Sequence, residues 1–287
     1  MNAREAVERL HRGPVTGVRQ GGGSIFLVTL DDGECVVAKR GVGEGASAAE
    51  AAGLRWLGES GDVPVPAVYG QDEAWLVMQY VPAGPPTAEA AERFGHGLAK
   101  LHLRGAPAFG SPPPGGPADA WMGVAPMRND PYPDWPGFYA ERRILPYVRM
   151  CVDQQLMSAG DAAVFEQLCD RLPEVAGPAE PPARLHGDAW SGNVHWAADG
   201  DVWLIDPAAH GGHREADLAM LQLFGTSLLE TILGAYAESA AGEGLPLAGD
   251  WRSRTPLHQL FPLLMHAAVF GGGYVKQALS AARATLA

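Results

Sequence analysis

The chain has 287 residues, 47% of them apolar, which is enough material for a substantial buried core and argues against disorder. A net charge of −12 excludes general nucleic-acid binding, which needs a basic surface, so any phosphate site has to be built locally. The cysteines, Cys35, Cys151 and Cys169, are widely spaced and odd in number, which suggests neither a disulfide framework nor a zinc site. No run of about 18 apolar residues offers a membrane span, and the charged N-terminus has no apolar core of a signal peptide, so a soluble, cytoplasmic protein is expected.

A short polar helix is expected at about residues 2–12. Gly21, Gly22, Gly23 and Ser24 then precede the strand SIFLVTL, a turn at Asp31, Asp32 and Gly33, and the strand ECVVAKR, so the unit reads as a glycine-rich loop in an antiparallel hairpin. Glycine lets backbone N–H groups approach phosphate oxygens, although a plain turn has the same need. Lys39 follows the apolar run Val36, Val37, Ala38 and is one of only three lysines, with Lys100 and Lys276. One hairpin after a glycine loop, such a lysine is what a kinase uses to hold nucleotide phosphates; the alternative is an edge-strand lysine kept for solubility. Residues 46–59 have helical spacing and offer Glu50 as the partner of Lys39. Alternatively, Ser47 and Glu50 form a capping box. A proline-bearing edge strand, VPVPAVYG, and a clean strand, EAWLVMQYV, follow. The segment from Val81 to Pro86 then reads as a hinge between a nucleotide-binding lobe at 1–80 and a catalytic and substrate lobe at 87–287.

Beyond the hinge, TAEAAERFGHGLAKLH is helical, with Phe94, Leu98 and Leu101 on one face and His102 at its end as a packed or capping histidine. Prolines and glycines crowd residues 105–136, which read as a long irregular excursion of the kind often used for binding. Two helices are expected over GFYAERRILPYVRM and DAAVFEQLCDRL, separated by Ser158, Ala159 and Gly160, and further helices after residue 217.

Between these helices runs HGDAWSGNVHWAADGDVWLIDPAAHGGHREADLAM, residues 186–220. Asp188 is followed five residues later by Asn193, and Asp206 ends the apolar run Val202, Trp203, Leu204, Ile205. Phosphoryl transfer needs one carboxylate to take the proton of the attacking hydroxyl, and a carboxamide and second carboxylate to hold Mg2+. Asp188, Asn193 and Asp206 fit those roles in that order. The pattern predicts a bilobal, protein-kinase-like α+β fold, with an N-terminal antiparallel β-sheet carrying one main helix and a mostly helical C-terminal lobe. Asp217 is expected to brace the backbone of the loop. Trp190 either packs on a sugar face or belongs to the core, and His213 is a possible substrate contact.

LHGDAWSGNV, the strand ending in IDPA, and HREADLAMLQLFG resemble the fructosamine kinase (ketosamine-3-kinase) family, within the kinase-like group that includes aminoglycoside and choline kinases. The likeness extends over GGGSI, VVAK, the run from Phe109 and Gly110 through DWPGFYAERRILP, and FGGGY near the end. It implies ATP- and Mg2+-dependent phosphorylation of the 3-hydroxyl of fructosamine or ribulosamine adducts of amines or protein lysines. The phosphate then eliminates and frees the amine, which amounts to deglycation. The same resemblance implies that Asp188 is the base, that Asn193 and Asp206 hold Mg2+, and that Lys39 and Glu50 form the phosphate-binding pair. Gly22, Gly23 and Ser24 would cover the phosphates, with Met78 on the adenine and backbone groups from Gln79 through Tyr80 to Val81 bonding the base.

Two departures from relatives matter. Ser24 replaces the cysteine that gives several family members redox-sensitive dimer formation. Gly187 replaces the arginine with which protein kinases hold a phosphorylated activation loop, and the ten residues between Asp206 and Asp217 leave no room for a peptide-docking segment. An aminoglycoside- or choline-type kinase, whose cationic substrate would suit the acidic chain, is the competing activity. A nucleotide-binding pseudoenzyme scaffold is the non-enzymatic alternative.

Overall fold

Antiparallel hairpins dominate the N-terminal part of the chain, whose computed structural model describes residues 2–11 and 13–287. Residues 1 and 12 lie outside the described residues, and with them the expected end of the first helix. That helix, α1 (Ala3–Leu10), starts where Asn2 and Glu5 satisfy each other's backbone N–H groups in a capping box. Strands β1 (Val15–Gly22), β2 (Ile25–Leu30) and β3 (Cys35–Arg40) follow, then helix α2 (Ala46–Gly58), β4 (Val68–Gln71) and β5 (Trp75–Gln79). They form one sheet in the order β1-β2-β3-β5-β4, with every neighbouring pair antiparallel. Strand β4 lies at an edge, as expected of VPVPAVYG, but Pro64 and Pro66 fall before it and its paired residues, VYGQ, include no proline. β1 was not foreseen: VTGVRQGG is too polar and glycine-rich to read as a strand, yet it is the outer partner of β2.

The sheet buries both faces by simple alternation. Val28, Val36, Ala38 and Val77 pack with Ala6 and Val7 of α1, while Leu76 and Met78 meet Ala51 and Leu54 of α2 on the other face. Helix α2 begins after Gly45, whose φ is +72°, with no side-chain cap. The alternative Ser47–Glu50 capping box is therefore absent: Ser47 is buried inside the first turn, and Glu50 pairs with Lys39 as expected.

From Val81 the chain crosses to the C-terminal part without becoming a free tether. The Gly84 N–H donates to Trp196 O at 2.8 Å, and the Ala198 N–H donates to Pro82 O at 2.8 Å. Helix α3 (Ala88–Leu103), capped by Thr87, follows. The excursion at 105–136 is partly ordered, because β6 (Asp119–Met122) and β7 (Ala125–Arg128) pair as a hairpin that docks on α2. Trp121 Nε1–H donates to Glu44 O at 3.1 Å, and buried Arg143 donates to Arg128 O at 2.9 Å and to Asn129 Oδ1 at 2.5 Å. These links tie the hairpin to both halves of the chain.

Helix α4 (Trp135–Phe138) widens into a π-helix at Tyr139–Ile144 before α5 (Leu145–Asp153). Pro146 explains the widening, since it has no N–H to give and its ring crowds the carbonyl four residues back. That carbonyl, Arg142 O, accepts from the Arg143 guanidinium at 3.2 Å. After α6 (Ala159–Val175) come the paired strands β8 (Ala183–Leu185) with β11 (His210–Gly212), and between them β9 (Val194–Trp196) with β10 (Val202–Leu204). Helices α7 (Glu215–Leu223), α8 (Leu229–Gly242), α9 (Thr255–His258), α10 (Leu260–Phe270) and α11 (Tyr274–Leu286) complete the chain. α3 packs along α8, and α10 and α11 pack on each other beside α5 and α6. Among the described residues no helix is long and apolar enough to cross a membrane.

Candidate active site

The β8–β11 strand pair and the β9–β10 hairpin between its strands deliver the polar residues of the 186–220 stretch to one point. Asn193 Nδ2 donates to Asp188 Oδ2 at 3.1 Å and Asp188 O at 2.9 Å, with a longer contact to Asp206 O at 3.4 Å. His186 is fully buried beneath them; its Nε2–H donates to Ile205 O at 3.0 Å and its Nδ1 accepts from the Asp188 N–H at 3.3 Å. Burial lowers the His186 pKa, so the ring is neutral with its proton on Nε2, and it links the turns that carry Asp188 and Asp206.

Asp217, at the start of α7, supports this turn from below. Its Oδ2 accepts from the His186 N–H at 2.7 Å and from His102 Nε2 at 3.2 Å, and its Oδ1 accepts from the Gly187 N–H at 2.9 Å. Burial would raise its pKa, but the bond from His102 leads a set of interactions that hold it below the usual carboxylate range. His102 is itself fixed by Tyr236 Oη, 2.8 Å from Nδ1, which makes it the packed histidine expected. Gly187 has φ +81°, and a Cβ there would overlap the Ala208 carbonyl oxygen. A side chain does not fit this backbone without strain.

Burial pushes the Asp188 carboxyl well above its ordinary pKa, and the charges of Asp206 and Asp217 add to the effect. Lys39 and Glu50 pair at 2.7 Å, and Lys39 Nζ also donates to Asp206 Oδ1. Burial alone would lower the lysine pKa, but Glu50 and Asp206 outweigh it and hold the ammonium charged. One lysine charge serves two carboxylates, so burial is only partly offset at Glu50, whose pKa is pushed up to about 7. Its Oε1 has no hydrogen-bond partner among the described residues.

Two clefts meet at Lys39, Glu50 and Asp206. One, of about 390 Å3, runs between β5 and the turn that carries Asp188, with Met78, Gln79, Tyr80 and Val81 on one wall and Asn193, Ile205 and Trp190 on the other. Here His195, which sequence reasoning passed over, donates from Nε2 to Val81 O at 3.0 Å and so occupies one backbone group of the expected adenine wall. The other cleft, of about 320 Å3, lies under Gly22, Gly23 and Ser24 at the β1–β2 turn. The excursion closes its far side with Pro117, Trp121 and Val124, an element no periodicity announced.

Trp190 is 38% exposed, which excludes the core alternative. His213 is 4% exposed and packs against Trp135 and His258 at ring separations of 5.2 and 4.7 Å, beside a void of about 20 Å3. A void of that size holds no more than a water, so the expected substrate contact at His213 is corrected to a core position. His213, Glu215 and His258 bring donor atoms within 4.8 Å of one another, but Arg254 takes both Glu215 oxygens, at 2.9 and 2.6 Å. The carboxylate charge is thus already matched. Cys35, Cys151 and Cys169 are free thiols, of which Cys151 is buried.

The donor set suits a hard divalent cation. Asn193 directs its amide hydrogens to Asp188 and Asp206, which leaves Oδ1 as its free acceptor, and Asp206 engages Lys39 through Oδ1 with its side chain 47% exposed. A carboxamide oxygen and a half-exposed carboxylate oxygen are what Mg2+ takes while keeping waters.

A strand-borne lysine paired with a helix glutamate, facing an aspartate, an asparagine and a second aspartate across a cleft, defines a kinase-like phosphotransferase that acts on a hydroxyl group. Within that class, the fructosamine kinase family model matches residues 39–287, and the chain belongs to this family. It is 34% identical over 232 residues to Probable ketoamine kinase YniA of Escherichia coli (strain K12), covering 79% of this chain and 76% of that one. It is 29% identical over 273 residues to the chloroplastic protein-ribulosamine 3-kinase of Arabidopsis thaliana, covering 91% and 79%. A crystal structure from Thermobifida fusca YX-ER1, provisionally described as a fructosamine-3-kinase, superposes with a TM-score of 0.91 at 46% identity over 99% of this chain and 98% of that one.

Proposed function

We propose that this protein transfers the γ-phosphoryl group of ATP to the 3-hydroxyl of ketosamines, the fructosamine or ribulosamine adducts of amines and protein lysines. The observation that carries the reading is Asp188: a carboxylate with a raised pKa, fixed by Asn193 and set beside the Lys39–Glu50–Asp206 cluster. A raised pKa makes it a better proton acceptor for an alcohol. The substrate oxygen forms its bond to the γ-phosphorus as the bond to the β–γ bridging oxygen breaks, and Asp188 receives the hydroxyl proton.

Lys39, steered by Glu50, meets the α and β phosphates, and the backbone of Gly22, Gly23 and Ser24 covers them. Met78 through Val81 receive the adenine. Asn193 and Asp206 hold Mg2+, which when bound neutralises charge on the phosphates. Trp190, exposed next to the base, offers an indole face to the sugar. After enolisation across C1 and C2 the 3-phosphate leaves as inorganic phosphate, and water then hydrolyses the resulting C1 imine, which frees the amine. Protein-bound adducts are included because a relative similar over 91% of this chain is named for a protein substrate.

ADP release should be followed with a synthetic deoxyfructosyl amine, an aminoglycoside and choline, with the product examined by 31P NMR. Ketosamine-dependent release with phosphate on C3 is expected. Release with the aminoglycoside or choline, and none with the ketosamine, would overturn the assignment.

A further inference from the structure

A string of exposed and half-buried aromatic rings leads away from the turn that carries Asp188. Trp190 and Phe224 are each 38% exposed and meet edge to face at 5.9 Å; Phe224 meets His266 at 5.3 Å; and His266 touches both Phe270, 66% exposed, at 5.5 Å and Tyr274 at 5.0 Å. The rings come from the turn after Asp188, the end of α7, the end of α10 and the start of α11, so the surface is assembled by the tertiary fold. His266 is held by its Nδ1–H, which donates to Pro262 O at 2.7 Å. Single exposed apolar side chains need no explanation, whereas a contiguous row opening from a reaction site does.

We infer that this row is a subsite for the amine-side substituent of the substrate, and that it selects adducts whose amine carries an aromatic or long aliphatic group. The inference rests on the ketosamine reading. In a ketosamine the nitrogen is attached to C1 and the reacting oxygen to C3, four bonds apart and about 5 Å at most. With that oxygen at Asp188, the nitrogen lies toward the turn that also carries Trp190, whose backbone N–H donates to Asp188 O at 3.0 Å, and the row from Trp190 over Phe224 gives its substituent a path toward Phe270. The nitrogen is a secondary ammonium at neutral pH, and aromatic faces attract such a cation. The acidic chain, at −12, favours the same charge. Charge and shape therefore point to one occupant.

The test uses the full chain with ATP and two adducts, deoxyfructosyl-phenethylamine and deoxyfructosyl-methylamine, with kcat/KM from ADP release. The wild type should prefer the aromatic adduct by about tenfold, and Phe270→Ala should cut that preference about fivefold, mainly through KM. Phe270→Tyr, which keeps a ring, should retain it. The side chain is exposed at a helix end, so these variants fold. Equal kcat/KM for the two adducts, or an unchanged preference in Phe270→Ala, would overturn the subsite alone. Absence of turnover with both adducts would overturn the ketosamine reading and the subsite with it.

Discussion

Replacing Asp217 by asparagine should separate the support of the catalytic turn from its chemistry. The carboxylate accepts from the His186 and Gly187 N–H groups and from His102 Nε2, at 2.7, 2.9 and 3.2 Å, in a site with 1% exposure. Asparagine keeps the shape but offers one acceptor oxygen, so its amide nitrogen faces at least one buried N–H. An unsatisfied buried donor costs about 1–3 kcal/mol, and the loss of charge assistance to the remaining bonds adds about 1 kcal/mol. A total of about 3 kcal/mol is a large share of the roughly 5–15 kcal/mol that holds a domain folded. The melting temperature should fall by about 6–12 °C. Because the same bonds set the backbone leading into Asp188, kcat should also fall, by about 10- to 100-fold, as the proposed base loses its placement. Calorimetry and steady-state ADP release on the same preparation measure both. A melting temperature within about 2 °C of wild type together with unchanged kcat would refute the bracing role.

Three further outcomes follow from the site. Glu50 binds its proton more tightly in the folded chain, at about 7 against 4.5, so its contribution to stability is fully present below pH 4.5 and is lost as pH rises through 7. Urea titrations of the nucleotide-free protein should therefore show stability falling over that window, and Glu50→Gln should flatten the slope; an identical slope would count against the buried pair. Gly187→Ala combines a left-handed φ with overlap onto Ala208 O and should cost about 3 kcal/mol or more in urea unfolding, where a loss below about 1 kcal/mol would show that the turn adapts. Asp206→Asn should weaken the Mg2+ dependence of turnover, read as a higher Mg2+ concentration at half-maximal ADP release, and EDTA should abolish wild-type turnover. An unshifted Mg2+ titration would remove Asp206 from the metal set.

Much of the candidate site was legible because its polar groups are close in sequence or include a lysine in an unusual setting. Asp188, Asn193 and Asp206 lie within 19 residues, and the hairpin that brings them together is encoded by the apolar run before Asp206. Lys39 stood out because a charge in an apolar strand needs a partner, and Glu50 supplies it at 2.7 Å. The Ser47–Glu50 spacing fits a capping box equally well, and only the start of α2 at Ala46 decides between them. His213 misled because a charged neighbourhood in sequence, with Arg214 and Glu215, becomes a buried ion-pair network once Arg254 and His258 arrive from α9 and the turn before it. Strand β1 and the β6–β7 hairpin were illegible for a different reason. Their stability comes from pairing and docking with distant segments, as Trp121 on Glu44 illustrates, and not from local periodicity. The aromatic row from Trp190 to Phe270 spans 81 positions and exists only in the folded chain.

Asp188→Asn is the most direct test of the central claim, that this carboxylate accepts the proton of a ketosamine hydroxyl. The substitution keeps the side-chain shape, so the variant should bind ATP in calorimetry with a Kd close to wild type while ketosamine-dependent ADP release falls by at least about 10³-fold. Turnover within tenfold of wild type, with ATP still bound, would contradict the account and place the base elsewhere.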